Sequence, residues 1–244
     1  MKALILAAGR GSRMEEMTDD APKCLVRLQG KPLLEWQLAA LKAAGIEDIG
    51  IVTGYRRELL SSYGLQEFHN PRWAETNMVT SLECAQEWLT SEPCIVSYSD
   101  IFYEPAAVKL LVESTATMAI TYDPNWLSLW TARFGDPLLD AETFRIKESN
   151  TLVEIGRKPR SVQDIQGQYM GLLKFTPQSW IEIQNIRAEL NPAQRDRMHC
   201  TGTLQAMVER GNVPVQALRY EGKWGEVDTQ SDLAVFQRTL IGSI

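Results

Sequence analysis

The first half of the chain alternates short apolar runs with segments of helical periodicity, and this alternation limits the fold more than any other feature. The apolar runs have the length of buried strands, and they are KALILA, DIGIVTG, PCIVSYSD and TMAITY. The intervening segments repeat apolar residues at helical spacing, and they are KPLLEWQLAALKAAG, MVTSLECAQEWL and AAVKLLVES. Such alternation is typical of parallel βαβ units. We therefore predict an α/β fold with a doubly wound, mostly parallel sheet.

The second half of the chain has a different pattern. Three strand-like segments follow one another without long helices between them, and they are ETFRIKE, LVEIGRK and GQYMGLLKFT. They predict a small antiparallel or mixed insertion beside the main sheet. Helices are expected at PQSWIEIQNIR and TLQAMVERG, a strand at VPVQALRY and a last helix after DTQSD. Without a repeat or linker, we expect one domain over residues 1–244, with halves of about 1–122 and 123–228.

Composition excludes several classes of partner. The net charge of -6 and the pI of about 5.1 argue against a nucleic-acid partner. No apolar run approaches the roughly 20 residues of a membrane span, and the N-terminus lacks the features of a signal peptide. Four cysteines without close spacing suit a reducing compartment. We therefore expect a cytoplasmic protein without a membrane partner, and two histidines are too few for a His-rich metal site.

The first apolar run leads directly into the loop LAAGRGSRM. A loop after a parallel strand lies at the carboxyl edge of the sheet, where α/β folds bind ligands. Gly9 and Gly11 would permit close approach of a ligand and positive φ, and successive N–H groups can form an anion nest. Arg13 and Lys23 add positive charge. These features predict a polyphosphate site, and the alternative is a tight turn with solvated arginines.

Two other phosphate-binding loops fit less well. The Walker pattern G-x-x-x-x-G-K-[ST] is absent, and the dinucleotide fingerprint needs a third glycine where Met14 stands. A dinucleotide-dependent oxidoreductase is therefore the least supported function.

The loop and its surroundings resemble a known enzyme family. The segments LAAGRGSRM, PKCLV and GKPLLEWQLAALKAAGI resemble the signature of nucleotidyltransferases that join a nucleoside triphosphate to a phosphorylated acceptor. SYSD resembles the family's first metal-binding aspartate, and WGEVDTQSDL resembles its late acidic corner. The resemblance covers nearly the whole chain. Its finer pattern is similar to phosphocholine-type cytidylyltransferases and to bacterial capsule enzymes that act on phosphoglutamine, as in NPRWAETNMVTSL, DPLLDAETFRI, LVEIGRKP and QYMGLLKF.

This resemblance implies a Rossmann-like fold of the nucleotide-diphospho-sugar transferase type. It implies that residues 1–122 bind the nucleotide, with CTP as the expected triphosphate, and that residues 123–228 bind the acceptor. It also implies Mg²⁺ as cofactor, and a homodimer is an option. The residues expected to contact the nucleotide are Leu6, Ala7, Ala8, Gly9, Arg10, Gly11, Ser12, Arg13, Lys23, Asn77 and Ser81. Asn77 and Ser81 have an alternative role in contacting the acceptor, and Asn77 could instead serve as a helix cap.

Three carboxylates are candidate metal ligands. Asp100 follows a predicted strand, and Glu226 and Asp228 alternate across Val227, so that as strand residues they point to one face. Mg²⁺ is usually held by one or two carboxylates plus phosphate oxygens and waters. We therefore predict a metal site at Asp100, Glu226 and Asp228. The alternatives are helix capping by either aspartate and a solvated Glu226.

The candidates for the acceptor site lie in the second half. Lys158 resembles the family lysine that holds the acceptor's phosphate, and it completes a catalytic set with Arg13, Lys23 and Asp100. A solvated turn lysine is the alternative, and the neighbouring Arg157 is a weaker candidate. An aromatic box for a quaternary ammonium group could be built from Trp126, Trp130, Trp224 and Tyr169. The alternative is ordinary packing, which is expected of the helical Trp36 and Trp88.

Three aspartates of the second half could meet an acceptor amine. They are Asp123, Asp136 and Asp140, and each also suits a turn. The leading hypothesis is a Mg²⁺-dependent nucleotidyltransferase that uses CTP and a small phosphorylated acceptor. A sugar-1-phosphate nucleotidyltransferase would share the loop, Lys23 and Asp100. A non-catalytic nucleotide-binding subunit is the alternative from another class.

Overall fold

The structure is a computed structural model that describes residues 1–239, and the side chains of Ser12, Glu15, Glu16 and Thr239 lie outside that description. The strands are β1 (Lys2–Ala7), β2 (Arg27–Leu28), β3 (Lys31–Pro32), β4 (Ile49–Thr53), β5 (Gln66–His69), β6 (Cys94–Tyr98), β7 (Ile101–Tyr103), β8 (Met118–Asp123), β9 (Phe144–Ile146), β10 (Leu152–Ile155), β11 (Gln168–Phe175), β12 (Val215–Arg219) and β13 (Trp224–Glu226). The α-helices are α1 (Leu33–Ala43), α2 (Met78–Glu83), α3 (Gln86–Ser91), α4 (Pro105–Glu113), α5 (Trp126–Phe134), α6 (Pro177–Ala188), α7 (Pro192–Asp196), α8 (Cys200–Arg210) and α9 (Gln230–Thr239). Short 3-10 helices connect them at Ser12–Thr18, Lys23–Leu25, Arg57–Tyr63, Pro137–Leu139 and Val162–Asp164.

Seven strands form the main sheet in the order β12-β8-β11-β6-β1-β4-β5. Neighbours are parallel except at β11, which is antiparallel to both β6 and β8. The predicted mixed, mostly parallel sheet is therefore confirmed. Within residues 1–239, every helix is too short or too polar to cross a bilayer.

The prediction for β11 was wrong in its position. We expected this strand in an insertion beside the sheet, but it runs through the middle of it. The physical reason is that seven of its eight residues are buried, which suits a central strand covered on both faces better than a strand of a small surface insertion. The antiparallel insertion is smaller than expected and consists of β9 and β10.

Two further elements differ from the sequence prediction. The single helix expected at 78–89 is divided into α2 and α3, because Ala85 leaves the helical conformation at φ −102° and ψ 22°. The edge strand β5 was not predicted. Its segment QEFH has one apolar residue, Phe68, and that is the only residue of β5 that is fully buried.

The strand directions place the loops that follow six of the seven strands at one edge of the sheet. Six strands end at the same edge, where the chain continues into the loop after β1 and into Ser99 and Asp100 after β6. Since β11 runs the opposite way, it begins at this edge with Gln168 and Tyr169. The carboxyl edge of a parallel sheet is where α/β folds bind ligands.

A second, smaller core lies beneath the opening loop. Its buried members come from distant parts of the chain, and they are Met14, Val26, Leu28, Leu33, Phe102, Val227 and Phe236. Met14 is fully buried there. The residue that breaks the dinucleotide fingerprint therefore packs in a core shared with Phe102 of β7, with Val227 just after β13 and with Phe236 of α9.

We predict that Met14→Ala lowers the free energy of unfolding by about 2–5 kcal/mol, because truncation leaves a cavity in this core. Met17→Ala is the matched control, since Met17 is 37% exposed and its truncation should change stability by less than about 0.5 kcal/mol. Urea unfolding measures both. Equal losses in the two variants would show that Met14 does not anchor the loop.

Candidate active site

The opening loop is shaped around the side chain of Lys23. Gly11 has φ +72°, and a Cβ atom there would lie 2.8 Å from Cδ and 2.9 Å from Cβ of Lys23. Gly11 therefore leaves room for the lysine stem to pass beneath the loop. Gly9 does not have a positive φ, and no atom lies within 4 Å of the position that a Cβ atom would take there. The expectation of positive φ is confirmed at Gly11 and wrong at Gly9, whose absent side chain instead leaves the surface above the loop open.

Lys23 lies between two carboxylates. Its side chain is 6% exposed, and its Nζ donates to Asp100 Oδ2 at 2.7 Å and to Asp228 Oδ1. Burial acts to lower the pKa of Lys23, but the charges of Asp100, Asp228 and Glu226 outweigh it and raise the pKa above its usual value. Arg13, whose side chain is 67% exposed, pairs with the other oxygen of Asp228. The buried ammonium of Lys23 and the exposed guanidinium of Arg13 thus both bind the carboxylate of Asp228.

Two short strands bring these carboxylates together across most of the chain. β7 pairs antiparallel with β13, which sets Ile101 opposite Glu226. The backbone N–H of Val227 donates to the carbonyl of Asp100 at 2.8 Å. The late acidic corner therefore lies directly against the end of β6. Neither aspartate caps a helix with its side chain, because α4 begins after Glu104 and both oxygens of Asp228 bind cations.

Glu226 is held apart from this pair by an arginine. Its Oε2 accepts from both terminal nitrogens of Arg133, at 3.3 and 3.2 Å. Withdrawal into the cleft and the charge of Asp100 raise the pKa of Glu226 to about 7, against the opposing effects of Arg133 and Lys23. Glu226 is thus not a solvated strand residue.

The three carboxylates of the predicted metal site pair with cationic side chains of the chain itself, and their role as metal ligands stays a prediction. Within residues 1–239 there is no group of three or more His, Cys, Asp or Glu residues placed to hold a metal ion. The physical reason is that Arg133 binds Glu226, whereas Lys23 links Asp100 and Asp228. Asp100 does keep one free ligand atom, because its Oδ1 is buried and accepts no hydrogen bond from the described residues. An ionised oxygen out of water without a donor favours a cation.

Gln37 of α1 supports the loop that carries Asp100, and sequence reasoning missed it. Its fully buried amide donates to the carbonyl of Tyr98 at 2.9 Å and to that of Ile101 at 2.6 Å. Its position inside an apolar helix face was the available signal, since a buried amide requires partners.

A cleft of about 290 Å³ opens above Gly9 and Lys23. Of the predicted nucleotide contacts, it is lined by Leu6, Ala8, Gly9, Gly11, Arg13, Lys23, Asn77 and Ser81. Ala7 and Arg10 are not among the described lining residues, and Arg10 pairs with Asp19 instead. The side chain of Ser12 lies outside the described part of the chain.

The far wall of this first cleft is built by the segment before α2. Asn77 caps α2, accepting from the N–H of Met78 at 2.7 Å, and it also lines the cleft. Ser81 accepts from Asn70 at 3.0 Å. Trp73 was not predicted, and it packs against Gly54, where a Cβ atom would lie 2.4 Å from it. Trp73 thereby offers an aromatic wall, with Thr76 and Tyr98 beside it.

A second cleft of about 240 Å³ shares a wall with the first. The residues common to both are Arg13, Met78, Tyr98 and Asp100. Its other described lining residues include Trp130, Asp140, Glu142, Thr143, Gln168, Tyr169, His199, Cys200, Thr201, Trp224 and Glu226. Burial, followed by the charge of Asp140, raises the pKa of Glu142. Sequence reasoning missed Glu142 and His199 because nothing local marks them as neighbours.

Lys158 is not among the described residues that line either cleft. Its exposed ammonium donates to the backbone carbonyls of Leu138 and Leu139, so its predicted role toward the acceptor's phosphate stays a prediction. Arg157 pairs with Glu209 on the surface.

Some of the aromatic and acidic candidates line the second cleft, and the others pack in the core or make local hydrogen bonds. Trp130, Trp224 and Tyr169 line the second cleft, whereas Trp126 is buried and outside its lining. Trp36 and Trp88 pack against the two cores as expected. Asp140 lines the cleft. Asp123 accepts from Trp224 Nε1 at 3.0 Å, and Asp136 caps a turn at Leu138.

Comparison with known proteins identifies the family. The MobA-like NTP transferase domain matches residues 3–147 of the chain. The chain belongs to this family. It is therefore a nucleotidyltransferase, which the loop around Lys23 and the neighbouring Asp100 already suggested.

Relatives of this MobA-like NTP transferase match across the sequence. The CTP:phosphoglutamine cytidylyltransferase of Campylobacter jejuni is 35% identical over an alignment of 251 residues that covers 96% of this chain and 98% of the relative. The choline-phosphate cytidylyltransferase of Streptococcus pneumoniae is 41% identical over 140 residues, 56% of this chain and 60% of the relative. A crystal structure of a putative glucose-1-phosphate thymidylyltransferase from Bacillus anthracis superposes with a TM-score of 0.79 at 18% identity, covering 100% of this chain and 96% of that one. The fold is that of the nucleotide-diphospho-sugar transferases.

We predict that Gly11→Ala impairs the nucleotidyltransferase site, because its Cβ atom would displace the stem of Lys23. The value of kcat/KM for the nucleotide should fall about tenfold or more, equivalent to about 1.4 kcal/mol of lost transition-state binding. Steady-state kinetics with varied nucleotide measures it.

Gly30→Ala is the matched control for backbone strain. Gly30 has φ +78°, but no atom lies within 4 Å of its Cβ direction. Both variants should lose about 1–2 kcal/mol of stability from the left-handed conformation. If Gly30→Ala loses as much kcat/KM as Gly11→Ala, the contact with Lys23 is not the cause.

Proposed function

We propose that this nucleotidyltransferase is a cytidylyltransferase, which transfers CMP from CTP to a small phosphorylated acceptor that carries an ammonium group and releases pyrophosphate. The expected acceptors are of the phosphoglutamine, phosphocholine or aminoethylphosphonate type. The similarity to the CTP:phosphoglutamine cytidylyltransferase and to the choline-phosphate cytidylyltransferase supports this choice.

The observation that carries the proposal is the charge of the second cleft. Four carboxylates line it: Asp100 at the wall shared with the first cleft, and Asp140, Glu142 and Glu226. Arg13 is the only lysine or arginine among its described lining residues, and it lies at the wall shared with the first cleft. An acceptor ammonium would be attracted to the acidic part, and Trp130 and Trp224 add aromatic faces that also attract cations. The neutral ring of a hexose phosphate lacks the positive charge needed for these ion-pair and cation–π contacts.

The linings of the two clefts come mostly from different halves of the chain. The described lining of the first cleft comes from residues 6–100, with Asp228 added. The second cleft is lined mostly by residues 130–226. We infer that residues 1–122 hold the nucleotide and residues 123–228 the acceptor. The two substrates would meet at the shared wall beside Asp100.

The reaction requires two anions to approach each other. An acceptor phosphate oxygen attacks the α-phosphorus of CTP, the new P–O bond forms, and the bond to the bridging oxygen of pyrophosphate breaks. No general base is needed, because a phosphate monoester is already largely ionised at neutral pH, with a second pKa of about 6. Catalysis then depends on positioning and charge neutralisation. We propose that Lys23 and Arg13 bind the triphosphate, and their shared ion pairs with Asp228 support this by setting both cations at one point of the first cleft.

The donor set fits a Mg²⁺ ion held by two carboxylates. Asp100 Oδ1 is buried and without a hydrogen-bond donor among residues 1–239, and Asp228 is the adjacent carboxylate. Mg²⁺ typically takes one or two carboxylates and completes its shell with phosphate oxygens and waters. Bound there, it would neutralise charge on the phosphates. We therefore propose Asp100 and Asp228 as its ligands.

We further propose that the product supplies an activated headgroup for a cell-surface polysaccharide and that the reaction takes place in the cytoplasm. All four cysteines are free thiols, which is consistent with a reducing compartment. The homodimer option stays a prediction.

The test of the proposed function is a matrix of the four nucleoside triphosphates against phosphorylated acceptors, scored by pyrophosphate release. We expect CTP to be preferred, and we expect phosphorylated amino acids, phosphocholine or aminoethylphosphonate to react faster than hexose 1-phosphates. Faster turnover of hexose 1-phosphates would replace the headgroup interpretation with a sugar nucleotidyltransferase. No pyrophosphate release with any pair would favour a non-catalytic nucleotide-binding role.

We predict that Asp100→Asn lowers kcat by roughly 10²–10³, because a charge-stabilising group is lost from the reacting centre. Asp196→Asn is the matched control, since Asp196 is similarly half-buried and pairs with Arg72 at 2.6 Å outside both clefts. The control should keep nearly normal kcat. Near-normal turnover of a folded Asp100→Asn variant would remove this aspartate from the site.

A further inference from the structure

A buried arginine joins helix α5 to the acidic corner. The side chain of Arg133 is 1% exposed, and its guanidinium lies over the rings of Trp130 and Phe134, at 5.0 and 4.7 Å. Its Nε donates to Asp232 Oδ1 at 2.8 Å, and its terminal nitrogens reach Glu226. A guanidinium removed from water is stable only when its donors are satisfied by acceptors of opposite charge. Arg133 therefore fixes the separation of Glu226 from Asp232.

Asp232, which binds Arg133, also binds the backbone of Asp228. Its side chain is also 1% exposed, and its Oδ2 accepts from the N–H groups of Asp228 at 3.0 Å and Thr229 at 2.8 Å. The Thr229 hydroxyl in turn accepts from the N–H of Asp232 at 3.2 Å. This reciprocal pair is a capping box at the start of α9. The capping box accounts for the bond to Thr229, but not for the bonds to Asp228 and Arg133.

The combined arrangement links Arg133 through Asp232 to Asp228, and the side chains of these three residues are all buried. Arg133 holds the Asp232 carboxylate, which holds the N–H of Asp228, and the Asp228 side chain binds Lys23 and Arg13. The other branch of Arg133 holds Glu226, which lines the second cleft. We infer that Arg133 and Asp232 are positioning residues that act as one unit, fixing Asp228 for the nucleotide and Glu226 for the acceptor.

This inference rests on the proposed function, because it assigns a role within the nucleotidyltransferase site. Neither Arg133 nor Asp232 lines the first cleft. Both would therefore act through Glu226 and Asp228, the residues that they bind. Substitution should therefore weaken nucleotide binding as well as turnover.

The test compares Arg133→Lys and Asp232→Asn with Arg187→Lys. Lysine keeps the charge but loses the planar fork, and asparagine keeps an acceptor for the two backbone N–H groups but loses the charge that holds Arg133. Arg187 is the matched control, since its side chain is 4% exposed, pairs with Glu83 at 2.7 Å and lines neither cleft. Thermal denaturation shows whether the three variants lose similar stability.

Two readouts separate positioning from stability. The first is kcat and KM with the nucleotide that the wild-type protein uses best. The second is the Kd of that nucleotide with Mg²⁺, measured by calorimetry without acceptor. We expect kcat/KM to fall about tenfold or more and Kd to rise in Arg133→Lys and Asp232→Asn, with changes of less than about twofold in the control. The double variant should be no worse than the poorer single variant, because residues acting as a unit are not additive.

Normal kcat/KM and Kd in folded Arg133→Lys or Asp232→Asn would overturn the inference, as would equal losses in Arg187→Lys. If one variant does not fold, the other decides. Wild-type protein that releases no pyrophosphate with any nucleotide would overturn the proposed function itself. An active wild type with unaffected variants overturns only the positioning role.

Discussion

The ammonium of Lys23 between Asp100 and Asp228 is the interaction on which the site depends. It joins a residue near the start of the chain to carboxylates 77 and 205 positions later. The absent side chain of Gly11 leaves room for the lysine stem. Burial by itself would make a charged lysine unfavourable, and the surrounding carboxylates reverse that effect on its pKa. In the proposed reaction the triphosphate would compete with these carboxylates for the same cation.

Separate supports hold the two aspartates in place. Gln37 fixes the carbonyls on either side of Asp100, while Asp232 fixes the backbone of Asp228. These supports lie on α1 and α9, and both are buried away from the clefts. Preorganised charge is effective in catalysis because it does not have to reorient when the reaction proceeds. The helices around the sheet therefore contribute to the site as well as to the core.

The two clefts take their linings from different parts of the fold. The first cleft, which we propose holds the nucleotide, lies at the ends of strands β1 and β6 near the centre of the sheet. The second cleft, which we propose holds the acceptor, takes its acidic and aromatic lining from α5, the segment before β9, and the start of β11. Under this proposal, substitutions in the second lining would alter the choice of acceptor without changing the loop or Lys23.

The sequence by itself determined the parallel βαβ pattern, and with the resemblance to nucleotidyltransferases it predicted roles for the loop after β1 and for Lys23, Asp100 and Asp228. These features depend on local periodicity and on residues next to strand ends, which a linear pattern displays. The tertiary structure decided the rest. Only the pairing of β7 with β13 brings Asp228 to Lys23, and only the packing of α5 draws Glu226 toward Arg133. The central place of β11 and the partners of Lys158 were decided in the same way, because contacts between distant segments depend on packing that no local pattern records.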